Sequence, residues 1–372
     1  MKIVVISNVP LENHLGSGYV INSFVNGFKK LGHNVVSYEP KDYIVVRFKF
    51  GARYVLFLSI LICALKVYFR RKCDLLVFYG AESALAVSIL KILPKRFLVV
   101  NNSNGLETNF EFNMQKYYQL LGKNINKRWY SFDLNSLLHL AFQNSDILVL
   151  NNKGDYNYAL KEGYVNKNNL IYTDLGIDSE YLNLNIELAS RREKNIVFCG
   201  SWIERKGINL IKKDVAFFLK NNSDYNLILI GVGNSFDLNE EFDKEIQSQI
   251  KVIGFLKDKS QIKNWLTKSQ IFLFPSIYES FGLSLAEAMA CGCCCVANLT
   301  GYATSLEHLK SIYLLSDLQS PSLYNALTEL IKNPVLMDFI SEGGHHRAQE
   351  LKWDSIIEHI EHFYLNKLKK LG

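Results

Sequence analysis

Two doubly wound α/β domains of Rossmann type are what the sequence predicts, and three observations predict them. The chain has 372 residues, and at roughly 150 residues per domain that makes two. Short apolar runs alternate with helical periodicity through the first half, stop at a polar and charged stretch near Asn183–Lys194, and then start again. Gly200, Gly231 and Pro275 each follow an apolar run, so they fall at strand carboxyl ends, where such sheets bind their ligands.

The elements justify this one by one. Ile3–Ile6 is a short apolar run, and Asn13–Gly18 a polar, glycine-bearing turn. Val20, Ile21, Phe24, Val25, Phe28 and Leu31 fall at helical spacing, Gly32-His33 ends the helix, and Val35-Val36 restarts an extended segment. Strand, glycine turn, helix, strand opens a parallel βαβ unit. Tyr54–Lys66 reads as a buried helix, Leu75–Tyr79 as a strand, Ala84–Ile92 as a helix, and Phe97–Val100 and Ile147–Leu150 as strands. The polar and aromatic segment Glu111–Arg128 has no assignable period. In the second half the strands are Ile196–Cys199, Leu227–Ile230, Val252-Ile253, Ile271–Phe274 and Cys293–Ala297. The helices are Ile208–Leu219, Ser260–Thr267, Leu283–Ala290 and finally Trp353–Leu368.

Composition narrows the class. Hydrophobic residues make up 48% and charged residues 21% of the chain, enough for two cores and against disorder. A net charge of +6 permits an anionic partner without requiring one. Seven cysteines, with Cys291, Cys293, Cys294 and Cys295 crowded together, form no spaced disulfide framework and fit a reducing cytoplasm. Consecutive cysteines on an extended segment point to alternating faces, so buried packing is the expectation and no metal site is. The opening residues lack the pattern of a signal peptide. The apolar stretch Tyr54–Leu65 is about a dozen residues, short of the ~20 needed to span a bilayer. With Arg47-Phe48-Lys49-Phe50 before it and Arg70-Arg71-Lys72 after it, it can also sit on an anionic membrane face. A core helix with solvated flanks is the plainer reading.

Two groups of residues carry chemistry. Arg205 and Lys206 stand before a helix, where positive charge opposes the macrodipole. A phosphate there would reverse the sign, meeting the helix amides, the Arg fork and the Lys ammonium together. A solvated basic loop is the alternative. Glu287 interrupts a helix that is otherwise small and apolar. A buried carboxylate is destabilising without hydrogen-bond donors, and sugar or ribose hydroxyls are such donors. Glu279 lies eight residues earlier, flanking Phe281-Gly282-Leu283; as a charge near a helix start it also has an ordinary reading.

The Glu279–Glu287 pair resembles the paired-glutamate motif of the GT-B retaining glycosyltransferases, in particular family 4, the glycosyl transferases group 1. Other stretches resemble that family in order: Gly16-Ser17-Gly18 with Gly32-His33-Asn34-Val35, Asp146–Leu150, Leu175-Gly176-Ile177-Asp178, Gly200 with Arg205-Lys206-Gly207, and Ile230-Gly231-Val232-Gly233. The resemblance implies a GT-B fold, two Rossmann-like domains facing across a cleft. Residues 1–180 would form the acceptor side, 195–345 the nucleotide-sugar side, and 346–372 a helical segment able to pack back on the first domain. It implies that Arg205 and Lys206 neutralise the departing diphosphate, that Glu287 holds ribose hydroxyls, and that Glu279 binds the donor sugar. Phe281, Gly282 and Leu283 would offer backbone amides, and Gly16, Gly200 and Gly254 would line the donor. No cofactor or metal is implied; the substrate would be a UDP- or GDP-type sugar. The acceptor would be a carbohydrate, lipid-linked or protein hydroxyl, in cell-surface polysaccharide or glycoconjugate synthesis. Nucleic acid is not among the expected partners. The expected location is cytoplasmic, with peripheral contact at the inner membrane face as an option.

The chain departs from the family at Asn104, in Asn101–Glu107, where the family's His-Gly-x-Glu segment has histidine. Asn can hydrogen-bond there but cannot take a proton. Leu15, Leu175 and Cys294 are smaller departures. Asn104 leaves open a non-catalytic GT-B-like protein that binds a nucleotide sugar or activates a partner. A nicotinamide-dependent oxidoreductase would need Gly-x-Gly-x-x-Gly after the first strand, and neither Gly16-x-Gly18 nor Gly231-x-Gly233 completes it.

Overall fold

The computed structural model describes residues 1–44, 52–70, 73–123 and 132–370. Contacts divide the chain into two units: Met1–Phe112 with Ile125–Leu175 and Trp353–Gly372, and Asn113–Asn124 with Gly176–Lys352. Each unit is built on a six-stranded sheet in which every pairing is parallel.

The first sheet contains β1 (Lys2–Ile6), β2 (Asn34–Tyr38), β3 (Leu75–Tyr79), β4 (Leu98–Asn102), β5 (Ile147–Leu150) and β6 (Leu170–Tyr172), in the order β2-β1-β3-β4-β5-β6. β3, β4 and β5 are buried along their whole length, as expected when helices cover both faces of a parallel sheet. The helix Gly16–Lys30 turns Tyr19, Val20, Ile21, Phe24, Val25 and Phe28 inward. The helix Trp353–Leu368 belongs to this unit and packs on it. Trp353 lies edge-on to Phe24, with ring centroids 5.3 Å apart, and its Nε1 donates to the Tyr19 hydroxyl at 2.9 Å. Tyr364 stacks on Phe28, and His33 Nε2 meets Glu361 Oε1 at 2.5 Å. Gly27 permits this approach: a Cβ there would sit 2.6 Å from Ile357 Cγ1.

The second sheet contains β7 (Glu193–Cys199), β8 (Asn226–Ile230), β9 (Ile250–Ile253), β10 (Ser269–Phe274), β11 (Cys294–Ala297) and β12 (Tyr313–Leu314), in the order β12-β11-β10-β7-β8-β9. Relabelled from its own first strand, this is the 3-2-1-4-5-6 winding of a dinucleotide-type sheet, whose direction of winding reverses between β7 and β10.

Several elements differ from the sequence reading. The helix Glu107–Leu120 runs into the stretch left unassigned, and β6, β12 and the helices Lys153–Lys161, Ser322–Lys332 and Pro334–Ala348 were not expected. The helix expected over Ile208–Leu219 is interrupted by a π turn, Ile211–Val215. Within that turn buried Asp214 accepts from the Leu323 and Tyr324 amides at 2.9 and 3.1 Å, so one helix's irregularity caps another. The polar stretch after Gly176 is part of the second unit rather than a free linker. Arg192 is buried there and donates to the carbonyls of Glu187 and Cys291. Arg47–Phe50, Arg71, Lys72, Trp129 and Tyr130 lie outside the described residues.

Replacing Trp353 by Ala removes two aromatic contacts and a hydrogen bond, and should lower the stability of the first unit by about 2–3 kcal/mol. Urea unfolding followed by circular dichroism checks this, and an unchanged midpoint would mean that the terminal helix does not support the unit.

Candidate donor site of the second unit

The winding reversal between β7 and β10 leaves a crevice beyond their carboxyl ends, and the two loops that leave those strands carry the charged residues singled out in the sequence. After β7, Glu204–Lys206 forms a single 3-10 turn and Gly207 follows at φ 74°. Only glycine suits that position: besides the left-handed backbone, a Cβ would lie 2.0 Å from the Pro275 carbonyl oxygen. The close approach brings the loop after β7 onto the loop after β10. The Ile277 amide donates to the Arg205 carbonyl at 2.8 Å, and Arg205 Nη1 donates to the Tyr278 carbonyl at 3.1 Å.

Glu279 lies between the two cations. Its Oε1 is 2.6 Å from Lys206 Nζ and 3.3 Å from Arg205 Nη1, and the residue is 8% exposed. Its amide donates to Thr300 Oγ1 at 2.9 Å, which ties in the loop after β11. Burial alone would push the Glu279 carboxyl up, but Lys206 and Arg205 outweigh it and hold the group below its ordinary value. Gly200, at the end of β7, lies against the Lys206 side chain, whose Cε is 3.6 Å from where a Cβ would stand.

Beyond Glu279 the chain reaches Gly282, at φ 93°, which starts the helix Leu283–Ala290 without any side-chain cap. A Cβ on Gly282 would lie 2.4 Å from the Phe274 ring. The first-turn amides of Leu283 and Ser284 thus have no capping side chain, which is the arrangement that receives anions. The Phe281 side chain is buried against Tyr302, ring centroids 5.0 Å apart, so only its backbone is available to a ligand. Glu287 is one helical turn further on. Its side chain is 12% exposed and lies 3.8 Å from Lys259 Nζ, which is itself 3.7 Å from Asp178. Burial pushes the Glu287 carboxyl up to about 7, with Lys259 opposing and Asp178 and Glu180 adding to the shift. The two glutamates of one motif are therefore electrostatically opposite. Glu279 is held ionised, whereas burial favours the neutral form of Glu287.

The structure thus brings Gly200, Arg205, Lys206, Glu279, Gly282 and Leu283 to one crevice, with Glu287 on the helix that leaves it. Gly254 ends the edge strand β9, exposed and two strands from β7. Sequence reasoning missed Thr300, which fixes the Glu279 backbone, and Lys259, which faces Glu287. Both follow the rule that placed the others, since Thr300 lies beyond the carboxyl end of β11, but neither residue type signals a role by itself. The cysteine cluster is packing: Cys291, Cys293, Cys294 and Cys295 are all buried, and burial pushes the Cys293 thiol up to about 12. Among the described residues no group of three or more His, Cys, Asp or Glu is placed to hold a metal ion.

Gly16 and Asn104 belong to the first unit. Gly16 begins the helix Gly16–Lys30, and among the described residues no atom beyond its chain neighbours and its own helix backbone lies within 4 Å of where its Cβ would be; the sterically obliged glycine of that loop is Gly18, whose Cβ would stand 2.5 Å from the Pro10 carbonyl oxygen. Asn104 lies just after β4, half-buried. Near it, Glu107 starts a helix and burial pushes its carboxyl up to about 7. Arg53 Nη2 lies 3.2 Å from Glu82 and 3.9 Å from Glu107, and Asn8 Nδ2 donates to Glu82 at 2.9 Å. Asn8 and Glu82 follow β1 and β3, the strands between which this sheet reverses its own winding.

Residues 193–333 match the family described as glycosyl transferases group 1. An uncharacterized glycosyltransferase, MJ1178 of Methanocaldococcus jannaschii, is 24% identical over 241 residues, 60% of this chain and 67% of that protein. The chain spans about half the length of other curated glycosyltransferases that it matches. Among solved structures, sucrose-phosphate synthase from Thermosynechococcus elongatus superposes with a TM-score of 0.75 at 15% identity, covering 100% of both chains. HepE of Anabaena, in complex with UDP, gives 0.68 at 15% identity over 97% of this chain and 99% of that one. The fold is GT-B. Within it, residues 193–333 are the part that is similar to the glycosyl transferases group 1 family.

The two glutamates should respond to pH in opposite senses. Glu279 is depressed, so its contribution is present above the ordinary carboxylate pKa and lost as pH falls through its folded value. Glu279→Gln should destabilise the protein by about 3 kcal/mol at pH 7, since it leaves two half-buried cations facing a neutral group. Glu287 is raised, so its folded form holds a proton that the unfolded chain has released. Its contribution is complete below the ordinary value and is lost as pH rises through about 7. Glu287→Gln should therefore be nearly neutral at about pH 4 and stabilise by up to about 3 kcal/mol at about pH 8. Thermal melts of the ligand-free protein at the two pH values measure both effects, and a pH-independent difference for either variant would contradict the assignment.

Proposed function

We propose that this chain is a glycosyltransferase that moves a sugar, with retention of configuration, from a nucleotide-diphosphate sugar to an acceptor hydroxyl. The observation that carries the reading is a pair of cations gathered on one buried carboxylate beside an uncapped helix start, at the winding reversal of the second sheet. A diphosphate in that crevice would share Lys206 and Arg205 with Glu279 and accept from the Leu283 and Ser284 amides. Fixed cations and amides aimed at a leaving group that gains charge are electrostatic catalysis, which often dominates such rates. Glu287, with hydroxyls of a ribose donating to it, would gain hydrogen-bond donors. Glu279 would accept from hydroxyls of the donor sugar.

In this proposal the bond between the anomeric carbon and the diphosphate oxygen breaks, and the acceptor oxygen bonds the same face of that carbon. The acceptor's proton passes to the departing phosphate oxygen. No protein base is required, so Asn104 in place of histidine is tolerated. No metal is required either, because Arg205, Lys206 and the helix amides supply the positive charge that a divalent ion would. These features, with the Glu279–Glu287 spacing, are those of family 4. Asn8, Arg53, Glu82 and Glu107, at the winding reversal of the first sheet, are suited to acceptor hydroxyls. The donor would be a UDP- or GDP-type sugar, and the product a cell-surface polysaccharide or glycoconjugate made in the cytoplasm. Asn104 is the observation that favours the other reading, a nucleotide-sugar binding protein without turnover.

A panel of UDP-, GDP- and ADP-sugars separates the two. Slow hydrolysis of one donor, abolished by Lys206→Ala, is the expected result, whereas tight binding with no turnover across all donors and acceptors would favour the second reading. Glu287→Ala should weaken nucleotide binding by about 1–3 kcal/mol, and equal calorimetric affinity would remove Glu287 from the site. Asn104→His should fold and keep or raise the activity; a folded but inactive variant would give the Asn a specific role.

A further inference from the structure

The helix Ala52–Arg70 is expected from sequence to be a core helix, and one face of it is. Phe57, Ile60, Cys63, Ala64 and Val67 are buried against the first sheet and its neighbours. The opposite face is not what a solvated helix presents. Its exposed positions are Tyr54, Leu58, Ile62, Lys66, Phe69 and Arg70, the i, i+4 succession of a single stripe. Tyr54, Leu58 and Ile62 are each 53% exposed and Phe69 76%. Single exposed apolar residues are ordinary, but an aligned row of them marks a binding surface. Tyr68 donates to the Pro94 carbonyl at 2.7 Å, which brings Lys91, Ile92 and Arg96, all exposed, alongside the C-terminal end of the same helix. Ile92 is 80% exposed.

The charge pattern selects the partner. From Val45 to Lys72 the sequence holds seven Lys or Arg and no Asp or Glu, and from Ser83 to Leu106 it again holds no acid. A row of apolar and aromatic side chains, ending in cations and free of acids, matches the boundary between anionic headgroups and acyl chains. From Tyr54 to Phe69 the row is about 22 Å long. Among the described residues no helix is long and apolar enough to cross a membrane, so the helix would lie in the surface. A second copy of the chain fits less well, since pairing two such stripes would set Lys66 and Arg70 against apolar side chains or against each other.

We infer that the outer face of the helix Ala52–Arg70 docks the protein on an anionic lipid surface. The inference is independent of the donor and acceptor chemistry. It is tested by flotation of the full chain with vesicles of phosphatidylglycerol mixed with phosphatidylcholine. The wild type is expected to float, to float less on phosphatidylcholine alone, and to be released by salt. Leu58→Asn with Ile62→Asn should lower the bound fraction by about tenfold or more, with thermal melting unchanged because both positions are exposed. Lys66→Gln with Arg70→Gln, which touches no core contact, should weaken flotation and flatten its salt dependence; it carries the test if the first variant fails to fold. Three outcomes overturn the inference: wild type that stays unbound at low salt, variants that float as well as wild type, or a stable dimer by light scattering that the Leu58→Asn, Ile62→Asn variant abolishes.

Discussion

Two like charges cannot be kept a few ångströms apart in a half-buried crevice without an anion, and Glu279 is that anion in the ligand-free protein. Lys206 and Arg205 both reach its Oε1. The residues that hold this triad converge on the backbone. Gly207 lets the loop after β7 touch the Pro275 carbonyl, the Ile277 amide and the Arg205 guanidinium stitch the two loops, and Thr300 anchors the Glu279 amide from a third strand end. The cations are therefore oriented before any ligand arrives. A site organised in advance spends little on reorganisation when charge develops on a leaving group.

The same motif contains a second carboxylate with the reverse electrostatics. Among the described residues the cation paired with Glu287 is Lys259, at 3.8 Å, and burial raises the carboxyl. A carboxylate kept in that state costs stability and gains when hydrogen-bond donors arrive. One loop and helix thus hold an ion-paired glutamate, Glu279, and a glutamate whose charge burial opposes, Glu287.

The parts of this arrangement that sequence could show are those where a residue type conflicts with its surroundings. Adjacent cations before a helix, a glutamate inside a small apolar helix, and glycines closing apolar runs are such conflicts, and each proved to mark the carboxyl end of a strand or the helix beyond it. Residues that act through agreement with their surroundings gave no signal. Thr300 looks like any turn residue, Asp214 like a helix surface charge, and Arg192 like part of a linker, yet each is buried and hydrogen-bonded. Gly18 and Gly27 were unreadable for a related reason: what excludes a side chain is the Pro10 carbonyl in one case and Ile357, far away in sequence, in the other. Short edge elements such as β12, two residues long, carry too little periodicity to be seen.

The two halves differ in legibility because they face different demands. On the proposed reading the second unit meets a diphosphate, which needs positive charge and free amides; few residue types and backbone geometries supply these, and they stand in order along the chain. The winding reversal between β1 and β3 in the first unit answers to no single ligand chemistry. There, Asn8, Arg53, Glu82 and Glu107 assemble from four separate elements, and nothing in the spacing of those residues joins them. The exposed row on the helix Ala52–Arg70 is a third case. Its apolar period was visible, but periodicity reports only that a face is apolar. Which of two apolar faces turns toward the core depends on how the helix is rotated against its neighbours. In this chain both faces are apolar, so packing one inward necessarily leaves the other to find its cover outside the fold.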